Sequence, residues 1–170
     1  MLGAISIGLI CLTPVSLQAQ AEPDEVVTFA TADAAMNKAV DQASRTLPLF
    51  LTNTVDDEGF GLDGGFLKVG FSVDDANMDT ENIWGGPFLE LDEINFVGLL
   101  ANQPAAMPGL KEGDKVSFTY DMIVDSNLAG ENGLYYGEGT TQVVIRRLPQ
   151  KEAAAYAARF AESPAPVGWE

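Results

Sequence analysis

From Val116 to Val124 apolar side chains recur at every second position: Val116, Phe118, Tyr120, Met122 and Val124. That period belongs to a half-buried strand and is incompatible with a helix. Leu67, Val69, Phe71 and Val73 repeat the pattern around Lys68, Gly70 and Ser72. Ile83-Trp84 begins another strand, interrupted at Gly85-Gly86-Pro87 and resumed over Phe88 to Leu91. Ile94 to Ala101 follows, with Gly98 in its middle, where an interior glycine marks a bulge or a close backbone approach. Thr140 to Leu148, rich in β-branched residues, reads as the last strand, after a loop or irregular hairpin over Asn127 to Gly139.

Helical spacing appears only at the two ends of this β region. Ala32, Ala35, Met36, Ala39, Val40, Ala43 and Leu47 recur at a period near 3.6. Thr31 or Asp33 is placed to cap that helix and Pro48 to stop it, with Leu49-Phe50-Leu51 continuing as an extended segment. A final helix over Gln150 to Glu162 would bury Ala153, Tyr156, Ala157 and Phe160. The expected class is therefore α+β: an antiparallel sheet of five to six strands, able to curl into a partly open barrel, with an N-terminal and a C-terminal helix.

The first 21 residues contain no charged side chain, and the apolar run Leu2–Leu12 ends in Ala19-Gln20-Ala21 ahead of Glu22. An apolar core of about 10 residues before an A-x-A step is the pattern of a secretory signal peptide. It is too short for a membrane span of about 20 residues. The expected organisation is a signal peptide over 1–21, a flexible mature N-terminus over 22–30, a single domain over 31–162 and a loose tail over 163–170. A periplasmic or secreted protein with no transmembrane segment in its mature form follows. The single cysteine, Cys11, lies in the leader, and histidine is absent throughout. The mature chain thus has no disulfide, no thiol nucleophile, no Ser-His-Asp constellation and no imidazole ligand. Any chemistry here would have to use carboxylates, lysine, tyrosine or hydroxyls.

Nine basic residues stand against 25 acidic ones, a formal net charge of −16. Such a field repels nucleic acid and suits a basic partner, such as a basic protein of the cell envelope. No phosphate loop, nucleophile elbow or zinc-protease motif is present, so no cofactor is expected.

The ordered series of segments resembles the bacterial domain of unknown function 2314, the YegJ-like proteins, over about residues 33–160. The resemblance is carried by Arg45-Thr46-Leu47-Pro48-Leu49-Phe50, Leu67-Lys68-Val69-Gly70-Phe71 and Glu81-Asn82-Ile83-Trp84. It continues through Phe96-Val97-Gly98-Leu99-Leu100-Ala101-Asn102-Gln103-Pro104, Leu110-Lys111-Glu112-Gly113-Asp114-Lys115-Val116, Asp125, and Glu131-Asn132-Gly133-Leu134-Tyr135-Tyr136-Gly137. It implies a compact α+β fold and no known activity. Where that family usually follows the aspartate at 125 with tryptophan, this chain has Ser126.

Trp84, Asn102, Pro104 and Asp125 lie at strand ends beside turns and are the candidates for a shared binding surface, together with Lys68, Glu81 and Tyr135. Lys68 is expected on the solvent face, opposite in parity to Leu67 and Val69. Glu81 and Glu90 could pair as acid and base, and Asp75-x-Asn77-x-Asp79-x-Glu81 offers alternating oxygens without the glycine and glutamate of a helix-loop-helix calcium motif. No residue is assigned a catalytic or metal-binding role. The reading favoured is a non-catalytic binding or accessory module of the envelope; its competitor is a carboxylate- or lysine-dependent enzyme acting on an envelope sugar or peptide.

Overall fold

The computed structural model describes residues 33–169. The leader expected over 1–21 and the segment 22–30 lie outside the described residues. Helix α1 (Ala34–Thr54) begins at Asp33, whose carboxylate accepts the amides of Ala35 and Met36, both at 3.1 Å. Arg147 pairs with the same carboxylate at 2.6 Å. These bonds, that of Met36 first, hold the Asp33 carboxyl below its ordinary value.

Pro48 does not end the helix: it lies inside it, and Leu49-Phe50-Leu51 is helical rather than extended. The reason is burial. Leu47, Phe50, Leu51 and Thr54 continue one stripe at helical spacing, and all four are buried. Each large side chain placed in the core contributes about 1.5–3 kcal/mol, enough to outweigh the hydrogen bond and ring clash that an interior proline costs.

Six strands form one antiparallel sheet: β1 (Gly65–Ser72), β2 (Thr80–Glu90), β3 (Asn95–Leu100), β4 (Lys115–Thr119), β5 (Ile123–Ala129) and β6 (Tyr135–Gly137). Their order is β4-β3-β2-β1-β5-β6. Glycine 98 makes a close approach to β4, since a Cβ there would sit 3.3 Å from the Phe118 ring, and a register shift lies opposite it on β2, between Gly85 and Phe88. The Gly85-Gly86-Pro87 step is therefore an irregularity within one strand and not a break between two.

The nine-residue alternation is not one strand. Thr119 ends β4, a 3-10 turn spans Tyr120–Met122, and β5 begins at Ile123. The two strands pair on opposite sides of the sheet, β4 with β3 and β5 with β1. The four steps from Thr119 to Ile123 reach at most about 14 Å, whereas in a flat sheet these strands would stand four spacings, about 19 Å, apart. The sheet is therefore strongly curled. No ladder joins β4 to β5 among the described residues, so the barrel stays open. A further register shift, between Lys68 and Val69 of β1, leaves Val124 without a β1 partner. It places Ile123 opposite Val69 and Asp125 opposite Lys68.

One face of the sheet carries the core. Leu67, Val69, Ile83, Phe88, Phe96, Leu100, Val116, Phe118 and Ile123 join Leu47, Phe50 and Leu51 of α1 in a single cluster. Phe96 stacks on Phe118 at 5.7 Å, and Trp169 brings the chain end back against Phe50 at 6.3 Å.

Two expectations about the C-terminal third are corrected. Thr140–Leu148 is not a strand: Gly139–Ile145 forms helix α2. The Asp125 carboxylate accepts both the amide (2.8 Å) and the hydroxyl (2.6 Å) of Thr140 at its start. Burial of Thr140, Val143 and Ile145 then overrides a β-branched propensity worth only a few tenths of a kcal/mol per residue. Helix α3 (Gln150–Ala157) is shorter than expected and buries none of its residues, Tyr156 being 47% exposed. It stops because β6 captures the following turn: Tyr135 donates its amide to the Arg159 carbonyl and accepts that of Ala161. Among the described residues no helix is long and apolar enough to cross a membrane.

Candidate functional site

On the face of the sheet away from the core, Trp84, Lys68 and Asp125 stand side by side across β2, β1 and β5. Parity puts Lys68 on that face, as expected, but the face is not solvent there. The Lys68 ammonium donates to the hydroxyls of Thr140 (3.1 Å) and Thr141 (3.3 Å) on α2 and lies 4.9 Å from the centre of the Trp84 ring. Thr140 thus links two ionisable groups: its hydroxyl accepts from Lys68 and donates to Asp125. Burial pushes the Lys68 amine below its ordinary value, while the charges of Asp125 and Glu138 draw it back up. Burial likewise raises the Asp125 carboxyl, opposed by the Thr140 bonds and by Lys68.

Beside this row is a cavity of about 310 Å³, at the small end of the range for ligand pockets. Aromatic rings dominate its wall: Phe66, Trp84, Tyr135, Tyr156 and Phe160. Asn102, Asn127, Glu138, Thr141 and Arg159 supply polar groups. Arg159 lies 5.0 Å from the centre of the Tyr135 ring and donates to its hydroxyl at 3.0 Å. Asn127 donates its side-chain amide to Glu138, and its own Oδ1 is buried with no partner.

Glu138 is the residue that sequence reasoning missed. Its φ of 53° and ψ of 39° put a glutamate in the left-handed region, between two glycines. It is the one non-glycine with positive φ among the described residues. Gly137 before it, at φ 87°, has no room for a side chain, because a Cβ would strike the Ser126 carbonyl. An acidic residue thus occupies a backbone conformation in which glycine would be relaxed, and such strain concentrates at functional sites. Burial raises the Glu138 carboxyl, against the pull of Thr141 and Lys68. An acid flanked by glycines was the only trace of this in the sequence.

Of the seven candidates, Trp84, Asn102 and Tyr135 line the cavity, while Lys68 and Asp125 lie behind it. Glu81 does not join them. It faces the core side, buried, and its two carboxylate oxygens accept the amides of Ala105 and Ala106 at 2.7 and 2.8 Å. That clamp anchors the loop carrying Asn102 and the buried Pro104. Glu81 and Glu90, at opposite ends of β2, are on the order of 30 Å apart, far beyond the separation of a glycosidase pair. Asp75 accepts the Asn77 amide at 2.8 Å within its turn. Among the described residues no three acidic, histidine or cysteine side chains gather as a metal site.

A larger cavity, about 490 Å³, opens between α1, α2 and the C-terminal tail. Asp125 is the only one of the seven candidates on its wall, which also includes Ser126, Tyr136 and Trp169. Ser126 pairs with Leu67 on the core face. The tryptophan expected at 126 from the resemblance would therefore face away from the aromatic cavity, and its replacement leaves that cavity intact.

No curated protein and no solved structure shows significant similarity to this chain. Residues 33–161 match the DUF2314 family, whose description is "uncharacterized protein conserved in bacteria". With that match covering most of its length, the chain belongs to the bacterial DUF2314 family.

Proposed function

We propose that the chain is a non-catalytic binding or accessory module of the cell envelope, and that the aromatic cavity beside Trp84 is where it holds its ligand. The observation that carries this reading is the state of Lys68. The one amine at the site that could act as a nucleophile is engaged by two threonine hydroxyls and covered by an indole ring, and it does not line the cavity. What does line it is aromatic surface with a few polar groups, the composition of a ligand pocket. The uncharged, apolar leader supports the envelope location.

A second reading, carboxylate- or lysine-dependent chemistry on an envelope sugar or peptide, is favoured by Glu138. It is a strained carboxyl, raised by burial, at the cavity wall. One experiment separates the two. Full-length protein and its Trp84→Ala variant are immobilised, exposed to envelope extract, and the retained compounds identified by mass. A compound held by the wild type, released unaltered and not held by the variant is the expected result. Release of a cleaved or altered compound would establish the enzyme reading. Equal retention by both proteins, or none by either, would rule out the cavity as the site.

A further inference from the structure

Four of the six large hydrophobic side chains exposed among the described residues lie at one end of the sheet: Phe60 (57%), Leu62 (50%), Leu91 (57%) and Ile94 (60%). They belong to two segments held side by side. Gly61 donates to the Phe88 carbonyl at 3.0 Å, Glu90 donates to that of Gly59 at 2.8 Å, and Phe60 bridges to Leu89. Single exposed apolar residues are ordinary, but a cluster of them marks a contact surface.

The charge on the same segments is one-sided. Residues 56–63 and 88–95 contain seven acidic side chains and no lysine or arginine. Burial, with Glu93 and Asp92 alongside, holds the Glu90 carboxyl above its ordinary value, and no cation offsets it. The end of the sheet thus combines apolar surface with unrelieved negative charge, and an occupant must answer both. The chain's own first 32 residues do not, for they carry three acids and no base. A second copy joined by a two-fold axis would set this acidic face against itself.

We infer that this end of the sheet is a docking surface for a cationic amphipathic segment of a partner protein, whose apolar side chains pack on Phe60 and Ile94 while its lysines or arginines face the surrounding carboxylates. The surface is separate from the aromatic cavity, and neither depends on the other. Electrostatic attraction of this kind speeds encounter, and the apolar contacts supply residence.

The test uses the full chain and two synthetic peptides of equal length and charge, one of lysine and leucine, one of lysine and serine. Binding is followed by fluorescence anisotropy at low and moderate salt. Three double variants are compared: Phe60→Ser with Ile94→Ser, Glu90→Gln with Glu93→Gln, and the charge-matched control Asp74→Asn with Glu131→Gln. Asp56 and Asp92 are left intact because their carboxylates organise the turns. The lysine-leucine peptide should bind the wild type and weaken about tenfold or more in each of the first two variants. The control pair and Trp84→Ala should leave its affinity unchanged. The inference is overturned by equal binding of the lysine-serine peptide, or by equal weakening in the control, since either would mean that the overall charge does the binding. Loss in Trp84→Ala alone would move the contact to the cavity, and self-association abolished by Phe60→Ser would make the occupant a second copy.

Discussion

Thr140 shows how much can rest on one hydroxyl. It takes a hydrogen bond from Lys68 and gives one to Asp125, so a half-buried amine and a buried carboxyl communicate through it. Valine has nearly the same shape but neither bond. Thr140→Val should therefore cost about 2 kcal/mol, because it leaves a half-buried amine and a buried carboxylate each short of a partner. Urea denaturation would measure this, and a variant as stable as wild type would show that water or side-chain movement replaces the bridge. Lys68, Trp84 and Asp125 could be nominated from sequence because each stands on or at the end of a recognisable strand. Glu138 could not, because its importance lies in a backbone conformation and a burial that only the chain's passage from β6 into α2 beside Ser126 and Asn127 of β5 creates.

Among the elements, α1 and α2 depart furthest from local preference, and in opposite directions. Helix α1 runs through a proline because the stripe from Leu47 to Thr54 completes the core. Pro48 itself is exposed, so its side chain contributes little packing. Pro48→Ala should restore a helical hydrogen bond to Ser44 and raise stability by about 1–2 kcal/mol, after allowing for the greater freedom of the unfolded chain. A denaturant midpoint that falls instead would mean that the ring holds α1 in its packed position. Helix α2 forms from residues that favour strands, because burial of Thr140, Val143 and Ile145 outweighs that preference.

For the whole molecule, the consequence of burying carboxyls in an acidic chain is a tilt of stability with pH. Asp125 and Glu138 are raised by folding, mainly through burial. A carboxyl raised in the folded state stabilises fully below its ordinary value, and that contribution is lost as pH rises through the raised one. Lys68, lowered by burial, acts in the alkaline range: its penalty is relieved as pH climbs from the lowered value towards 10.5. Asp33 and Asp92 are lowered, so their contributions fade as pH falls through the lowered values. Self-repulsion at a net charge of −16 adds to the loss at higher pH. The melting temperature should therefore be highest in mild acid, near pH 4.5–5.5 (roughly, from ordinary carboxyl values), and decline towards about pH 8. Calorimetry across that range would trace it, and Asp125→Asn with Glu138→Gln should flatten the decline. A melting temperature that rises steadily to pH 8 would contradict the burial of these groups.

Sequence alone determined what depends on neighbours along the chain. Apolar alternation specified the strands at Leu67 and Val116, short apolar segments beside turn residues marked those at Ile83 and Ile94, and their short connections implied an antiparallel sheet between helices. Composition removed imidazole chemistry from the chain and thiol chemistry from residues 33–169. What only tertiary structure decided were the features set by contacts distant in sequence. Periodicity records which side chains face together, but not with whom they pair. The alternation from Val116 to Val124 therefore could not reveal that its two halves pair at opposite sides of a curled sheet. Parity placed Lys68 away from the core, but only the fold brought α2 and Trp84 to cover it. The candidate site is assembled from β1, β2, β5, β6, α2, α3 and the loop after β3, and no local pattern encodes a meeting of that many segments.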